Sequence, residues 1–440
     1  MERVRQAKEY LRRRQYLPCP LADRPSPELG IVVVIPCHDE PDPLLTVQSL
    51  AACSTPRCAV EVLVVMNASS TDPPAVHDCN ARGIAALEAW RAVHDGGKFR
   101  LRVIDHPRLD PRHAGVGLAR KLGMDAAVAR FVAAGNPDGV IACLDADCRV
   151  DANYLAALEG HFAERPPSGA CTVYFEHPLD EPLDAALRRA ATHYELHLRY
   201  YRHGLRHARF PHDHYTVGSC LAVRCETYVR HGGMNRRRAG EDFYFLDKLM
   251  ATRSVSELTA TRVIPGVRIS SRTPFGTGRA LVKHLAGGAE TWQTYAPEVF
   301  TDLTALVASV DDLGDPSNDV DDVIASLPAG VVEFLHREGF GARHREIRNN
   351  TASPWAYEKR FFRWLNAFRA MKLIHHLTRA HHPRRPLPEA CVTLLSREGP
   401  GWEGARPPLT ERELLECFRA RDRGGMRLDS MGAGVRLLSA

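Results

Sequence analysis

The chain has 440 residues, 44% hydrophobic and 25% charged, proportions that exclude disordered, collagen-like and fibrous chains. Its length exceeds what one ordinary core supports and predicts two or three packed units. Lys plus Arg total 58 against 53 Asp plus Glu, a net charge of +5, too small an excess for a dedicated nucleic-acid binder yet compatible with an anionic small substrate.

Residues 1–29 read as a charged, helical N-terminal extension without the apolar run of a secretory signal. The longest apolar runs, such as Ile31–Ile35, are strand-sized and far below the roughly 20 residues that cross a bilayer, so a cytoplasmic protein is expected. Twelve cysteines are scattered along the chain with no CxxC pair, which favours buried reduced thiols over a zinc site.

From Gly30 onward short apolar runs alternate with helix-length stretches: Ile31–Ile35, Leu44–Ala52, Val60–Met66, Cys79–His94, Arg100–Ile104, Gly117–Ala134 and Gly139–Leu144. Strands this uniformly apolar are buried on both faces, and their alternation with helices predicts a mostly parallel α/β sheet. Further on, strands are expected at Ala170–Phe175, Tyr215–Arg224 and Thr261–Ile269. Between them fall a basic aromatic helix over Leu183–His203, a helix ending in Gly232-Gly233, and a helix opened by Gly240-Glu241-Asp242. Ser271 to Gly278 reads as a loop. Past about Ala280 helical periods take over, at Thr301–Val310, Val320–Leu327, Val331–Glu338, Trp355–His381 and Thr410–Arg421. Asp311–Asp322 and Arg397–Pro408 read as surface loops. The predicted division is therefore an extension over 1–29, an α/β domain over 30–279 and an α-helical C-terminal region over 280–440.

Four polar segments punctuate the α/β part. Pro36-Cys37-His38-Asp39-Glu40 follows the first strand, where the carboxyl edge of an open sheet forms a ligand crevice; an ordinary helix cap is the plain alternative. Asn67 to Asp72 ends the second strand at the same edge, where an amide can read a base or merely shape a turn. Asp145-Ala146-Asp147 ends a third. Carboxylates two apart in extended chain point to the same side, and a divalent cation shared with phosphate oxygens relieves their repulsion. Glu241-Asp242 opens a helix, which suits acids electrostatically but also gives a fixed mount for a general base. Gly232-Gly233 lies just upstream as a backbone that a substrate can approach closely.

Taken in order, these segments resemble the family 2 glycosyltransferases, which have the GT-A fold and use nucleotide-sugar donors. Pro36 to Glu40, Asn67 to Asp72, Gly117 to Arg120, the Asp145/Asp147 pair, Gly232-Gly233-Met234 and Glu241-Asp242 match its motifs over about residues 30–275. The resemblance implies that Pro36, His38, Glu40, Asn67, Arg120 and Asp145 surround the donor nucleotide, that Asp147 holds Mn²⁺ or Mg²⁺, that Gly232, Gly233 and Glu241 lie on the acceptor or sugar side, and that Asp242 deprotonates an acceptor hydroxyl. It implies a nucleotide-diphosphate sugar donor, a hydroxyl-bearing acceptor and one-step transfer of a single sugar with inversion. Departures are Asn67, where an Asp usually reads uracil, and Lys121, where the motif usually has Asn. The Gln-x-x-Arg-Trp sequence of processive synthases is absent from the chain.

Alternatives are a retaining GT-A transferase, a sugar-phosphate nucleotidyltransferase, which would need a glycine-rich phosphate loop after the first strand, and a non-catalytic nucleotide-binding scaffold. Arg272, on a glycine-flanked segment, either closes over a diphosphate or belongs to a plain turn. His212-Asp213-His214 reads as a polar loop more readily than as a metal or acceptor contact. Residues 355–385, with Phe361, Trp364, Leu365, Phe368 and Met371 at helical spacing among basic residues, suit either peripheral contact with an anionic membrane or the core of the C-terminal region.

Overall fold

The β-branched runs of the first half pair with one another because each has two apolar faces and no other way to bury both. A computed structural model describes residues 2–94, 97–165, 168–237, 240–252, 254–269, 276–286, 292–397 and 409–424. Its strands are β1 (Leu29–Cys37), β2 (Ala59–Ser69), β3 (Arg100–Leu109), β4 (Val140–Cys143), β5 (Arg149–Val150), β6 (Ala170–Phe175), β7 (Leu221–Arg224) and β8 (Val255–Ile264). They form one sheet in the order β3-β2-β1-β4-β7-β6-β8-β5. The pairs β3/β2, β2/β1, β1/β4 and β6/β8 are parallel, whereas β4/β7, β7/β6 and β8/β5 are antiparallel. Val33 sits opposite both Val62 and Ala142, and Cys37 opposite Met66, so β1, β2 and β4 deliver their polar turns to one carboxyl edge. Each fully buried Val or Ile in these strands contributes roughly 1.5–3 kcal/mol.

The chain divides into two compact units, Met1–Pro182 with Thr216–Arg279, and Leu183–Tyr215 with Ala280–Ala440. The first holds the sheet and the helices α1 (Glu2–Arg14), α2 (Leu44–Ala51), α3 (Pro74–His94), α4 (Val116–Ala134), α5 (Tyr154–Glu164), α7 (Cys225–Arg230) and α8 (Glu241–Met250). The second begins with α6 (Ala185–His207). The partition differs from the sequence division in two places: residues 183–215 cluster with the C-terminal helices, and the N-terminal extension joins the sheet unit, with α1 packing on α4 and α7.

Helix α9 (Thr277–Ala286) starts where the first unit ends. The second unit continues with α10 (Glu298–Ala308), α11 (Val310–Gly314), α12 (Val320–Ala325), α13 (Ala329–Arg337), α14 (Phe340–Asn349), α15 (Pro354–Trp364), α16 (Ala367–Ala380), α17 (Leu387–Arg397) and α18 (Glu411–Asp422), plus the short pair β9 (Gln293–Thr294) and β10 (Arg385–Pro386). The single helix expected over Trp355–His381 is broken at Leu365, because the Asn366 side chain accepts from the Arg369 N–H and caps a new start. Several apolar residues of that stretch face inward: Phe361 and Leu365 are fully buried and Trp364 is 5% exposed, its ring 4.8 Å from that of Phe340 and tilted by 39°, whereas Phe368 is half-buried and Trp355 is 60% exposed. Phe361, Trp364 and Leu365 therefore belong to the core of the C-terminal region. Among the described residues no helix is long and apolar enough to cross a membrane.

The strand expected at Thr261–Ile269 begins earlier and stops at Ile264, since Pro265 has no N–H to give a ladder. Tyr215–Arg224 is a strand only from Leu221, after a short 3-10 turn at Gly218–Cys220. All twelve cysteines are free thiols and most are buried.

Candidate active site

At the carboxyl edge of β1 the chain turns through His38 and Asp39, the latter in the left-handed region at φ 49°, a conformation an Asp side chain tolerates. Two bonds fasten this turn to the end of β2 and the turn after it, and a third fastens it to α3. His38 Nε2 lies 2.9 Å from Asp72 Oδ2, Asn67 Nδ2 donates to the Cys37 carbonyl at 2.8 Å, and the Asp39 N–H donates to Asn80 Oδ1 at 3.0 Å. Asp72 is held below the usual carboxylate range: burial pulls it upward, but the bonds from His38 and the Ser69 N–H outweigh that. Pro36 is buried within β1, and Asn67 is only 2% exposed with its amide N–H spent on Cys37. Asn67 therefore braces the two turns.

The Asp145–Asp147 turn leaves β4 and is pinned from beneath by Thr46 on α2, whose hydroxyl bonds the carbonyls of Asp145 (3.1 Å) and Cys148 (2.7 Å). Its two carboxylates have different partners. Asp145 Oδ1 accepts from Arg120 Nη2 at 2.7 Å. Asp147 Oδ2 lies 3.0 Å from Arg268 Nε, and the same guanidinium grips Glu40, with Nη1 at 2.7 Å from Oε1. One arginine in the segment after β8 thus ties the first turn to the third. Sequence reading missed Arg268, placing it in a strand and choosing Arg272, which lies outside the described residues. The one local signal was a cation following the last strand of the sheet.

Arg120 is the counterpart at the helix start. Its side chain is 3% exposed, and besides Asp145 it holds Glu241, itself 2% exposed, at the first residue of α8. Asp242 follows, half-buried, with one oxygen accepting from the Phe243 N–H at 2.7 Å. Its carboxyl is raised above the ordinary aspartate value because burial disfavours the charge and Asp145 repels it, against the opposing pull of Arg120 and of the Phe243 N–H. A carboxylate less acidic than usual, yet facing a guanidinium that keeps it ionisable, is suited to taking up a proton.

Gly232 and Gly233 both have positive φ, 76° and 72°. A side chain at 233 would overlap the Tyr10 hydroxyl, whereas the space at 232 is open. Tyr10 and Tyr228 both donate to Asp125 Oδ1, at 2.7 and 2.8 Å, and Lys121 Nζ lies 2.9 Å from the other oxygen. The second glycine thus makes room for the anchor of α1, and Lys121 belongs to that anchor. Both were unreadable locally, because Tyr10 is over 200 residues from Gly233 in sequence.

The structure accordingly brings Glu40, Asp147 and Arg268 into one cluster, Arg120, Asp145 and Glu241 into a second with Asp242 beside it, and joins them through the Asp145–Asp147 turn. Hard oxygen donors of this kind suit Mg²⁺ or Mn²⁺, which take one or two carboxylates plus substrate phosphates. Asp147 fits that demand best. It is 26% exposed on its side chain, and its present neighbour is already a cation.

The sequence model of the family described as Glycosyl transferase family 2 matches residues 32–232. Among curated proteins no sequence matches this chain. Solved structures with a similar trace include S. aureus TarS 1–349 in complex with UDP-GlcNAc (14% identity, covering 70% of this chain and 72% of that one, TM-score 0.37). Another is the mannosyltransferase PcManGT from Pyrobaculum calidifontis in complex with GDP-Man and Mn²⁺ (17% identity, 80% and 92%, TM-score 0.33). The matched stretch runs from β1 past the Asp145–Asp147 turn to the first of the paired glycines. Residues 32–232 are a family 2 glycosyl transferase domain, and the protein that carries them is a glycosyltransferase.

Proposed function

We propose that the protein transfers a single sugar from a nucleotide-diphosphate sugar to a hydroxyl acceptor in one displacement with inversion, Asp242 acting as base. The observation that carries this reading is Arg120, which joins Asp145 to Glu241 and so sets the turn expected to meet the diphosphate beside the carboxylate expected to meet the acceptor.

In this reading the turns at His38–Glu40 and Asn67–Asp72 seat the nucleoside, and Asp145 and Asp147 face the diphosphate. A Mg²⁺ or Mn²⁺ held by Asp147 would neutralise the phosphate charge that grows as the bond to the sugar breaks. Asp242 takes the proton of the acceptor hydroxyl while that oxygen bonds to the anomeric carbon. The carbon–oxygen bond to the β-phosphate breaks on the opposite face, and the nucleoside diphosphate leaves with the electron pair. Glu241, neutralised by Arg120, fixes the helix start so that Asp242 cannot drift from the attacking oxygen.

Asp242→Asn keeps the shape and removes the base. Transfer should fall by about 10²–10⁴ while nucleoside diphosphate binding, followed by calorimetry, stays within a few-fold. Unchanged turnover refutes the role of Asp242, and a product with the donor's anomeric configuration refutes the single displacement.

A further inference from the structure

We propose that Glu333, His376 and His381 form a binding site for a borderline divalent transition metal of the Zn²⁺ class, clasping α13 to the end of α16. One ligand atom from each residue lies within 4.8 Å of the others. Glu333 Oε2 is 3.0 Å from His381 Nε2 and 3.4 Å from His376 Nε2. Bonds of about 2.0–2.2 Å in a tetrahedral shell put ligand atoms about 3.3–3.6 Å apart, so both Glu333 pairs lie close to that spacing, and the two imidazoles, within 4.8 Å of each other, close on an ion by side-chain rotation.

The backbone makes this convergence. Residues five apart on a continuous helix point in different directions, but His381 lies beyond α16 with φ −125° and ψ −41°, and its ring turns back toward α13. Gly330 in the first turn of α13 provides the room, since a Cβ there would lie 2.9 Å from His381 Nε2. His376 Nε2 is buried and makes no hydrogen bond of its own.

Arg337 sets the condition for capture. Its Nη1 lies 3.0 Å from His376 Nδ1, and since a guanidinium only donates, the ring proton is on Nε2. Metal binding at Nε2 moves that proton to Nδ1 without net release, and the exposed Arg337 turns away. Two imidazoles and one carboxylate select a Zn²⁺-like ion over Mg²⁺ or Mn²⁺, which prefer oxygen, and three protein donors leave a fourth position for water.

The probe is Co²⁺ added to the full chain, read by visible absorption, with Zn²⁺ followed by calorimetry and thermal melting. The intact protein should bind one equivalent of Co²⁺ with the strong absorption of a tetrahedral ion, and Zn²⁺ should raise its melting temperature. His381→Gln and Glu333→Gln should each lose that spectrum and the thermal shift, whereas Asp147→Asn should keep both. Arg337→Gln should bind Zn²⁺ several-fold more tightly. Absence of Co²⁺ binding, or the same spectrum and stoichiometry in His381→Gln and Glu333→Gln, overturns the site; unchanged affinity in Arg337→Gln overturns the tautomer step.

Discussion

Two arginines, 120 and 268, carry two carboxylates each, and they differ in what surrounds them. Arg120 is almost wholly buried with a buried glutamate, so its charge is a fixed part of the fold. Arg268 is 32% exposed and can move. Its position beside Asp147 makes it a competitor for any cation that Asp147 binds. A unit charge about 4 Å away costs roughly 1 kcal/mol in water and about 4 at an effective dielectric of 20. Arg268→Gln should therefore bind Mn²⁺ at least several-fold more tightly in the absence of nucleotide, measured by calorimetry, at some loss of melting temperature because Glu40 loses its partner. Equal or weaker Mn²⁺ binding would show that the guanidinium and the ion do not share the carboxylate. At this scale the sequence was informative where a motif is local: Pro36 to Glu40, Asn67 to Asp72 and the Asp145/Asp147 pair each sit at a strand end as their composition predicts. It was silent where partners are distant. Arg268 is 228 residues from Glu40, and with Val267 and Ile269 beside it it mimics the alternation of a strand.

Elements were legible when one face or one cap decided them. The sheet strands follow from continuous apolar runs, and the break between α15 and α16 is set by one asparagine that the aromatic period around it concealed. Helix α18 depends on a different force. Its last residue, Asp422, accepts from Arg202 Nη1 at 2.6 Å, His203 Nε2 at 2.9 Å and the Tyr215 hydroxyl at 2.7 Å, and it also pairs with Arg199. One turn earlier Arg419 Nε and Nη2 reach Glu195, both at 2.8 Å. Buried ion pairs of this kind fix which elements meet more than they add net stability, yet removing one partner strands the others and costs about 3–5 kcal/mol. Asp422→Ala should lower unfolding free energy by that order in a urea titration. The carboxyl of Asp422 lies below the ordinary aspartate value: burial opposes this, but the bond from His203 and the charges of Arg199 and Arg202 prevail. A depressed folded value contributes stability above the unfolded value of about 3.9 and loses it as pH falls toward the folded one. The wild type should therefore weaken below about pH 4 more steeply than Asp422→Asn. Parallel acid limbs, or an alanine variant as stable as the wild type, would exclude this anchoring.

Whole-molecule organisation was the least legible level, because helical periodicity shows that α6 has a buried face and says nothing of which helices cover it. The sequence division ran straight from 30 to 279, whereas the chain leaves the sheet unit at Pro182, spends Leu183–Tyr215 in the helical unit, and returns at Thr216. Leu196 and Tyr200 are fully buried there, as are the charged Glu195 and Arg199, and their partners come from residues near the far C-terminus. A fragment ending at residue 279 keeps α6 but lacks α10, α17 and α18, the helices that pack on it. It would expose an apolar stripe together with unpaired buried charges, the combination that most strongly disfavours folding. The 1–279 fragment should thus bind a hydrophobic dye and aggregate, while the 440-residue chain melts without doing either. If 1–279 instead remains monomeric, melts cooperatively and transfers sugar, α6 does not need the helical unit, and the two-unit division has no thermodynamic meaning.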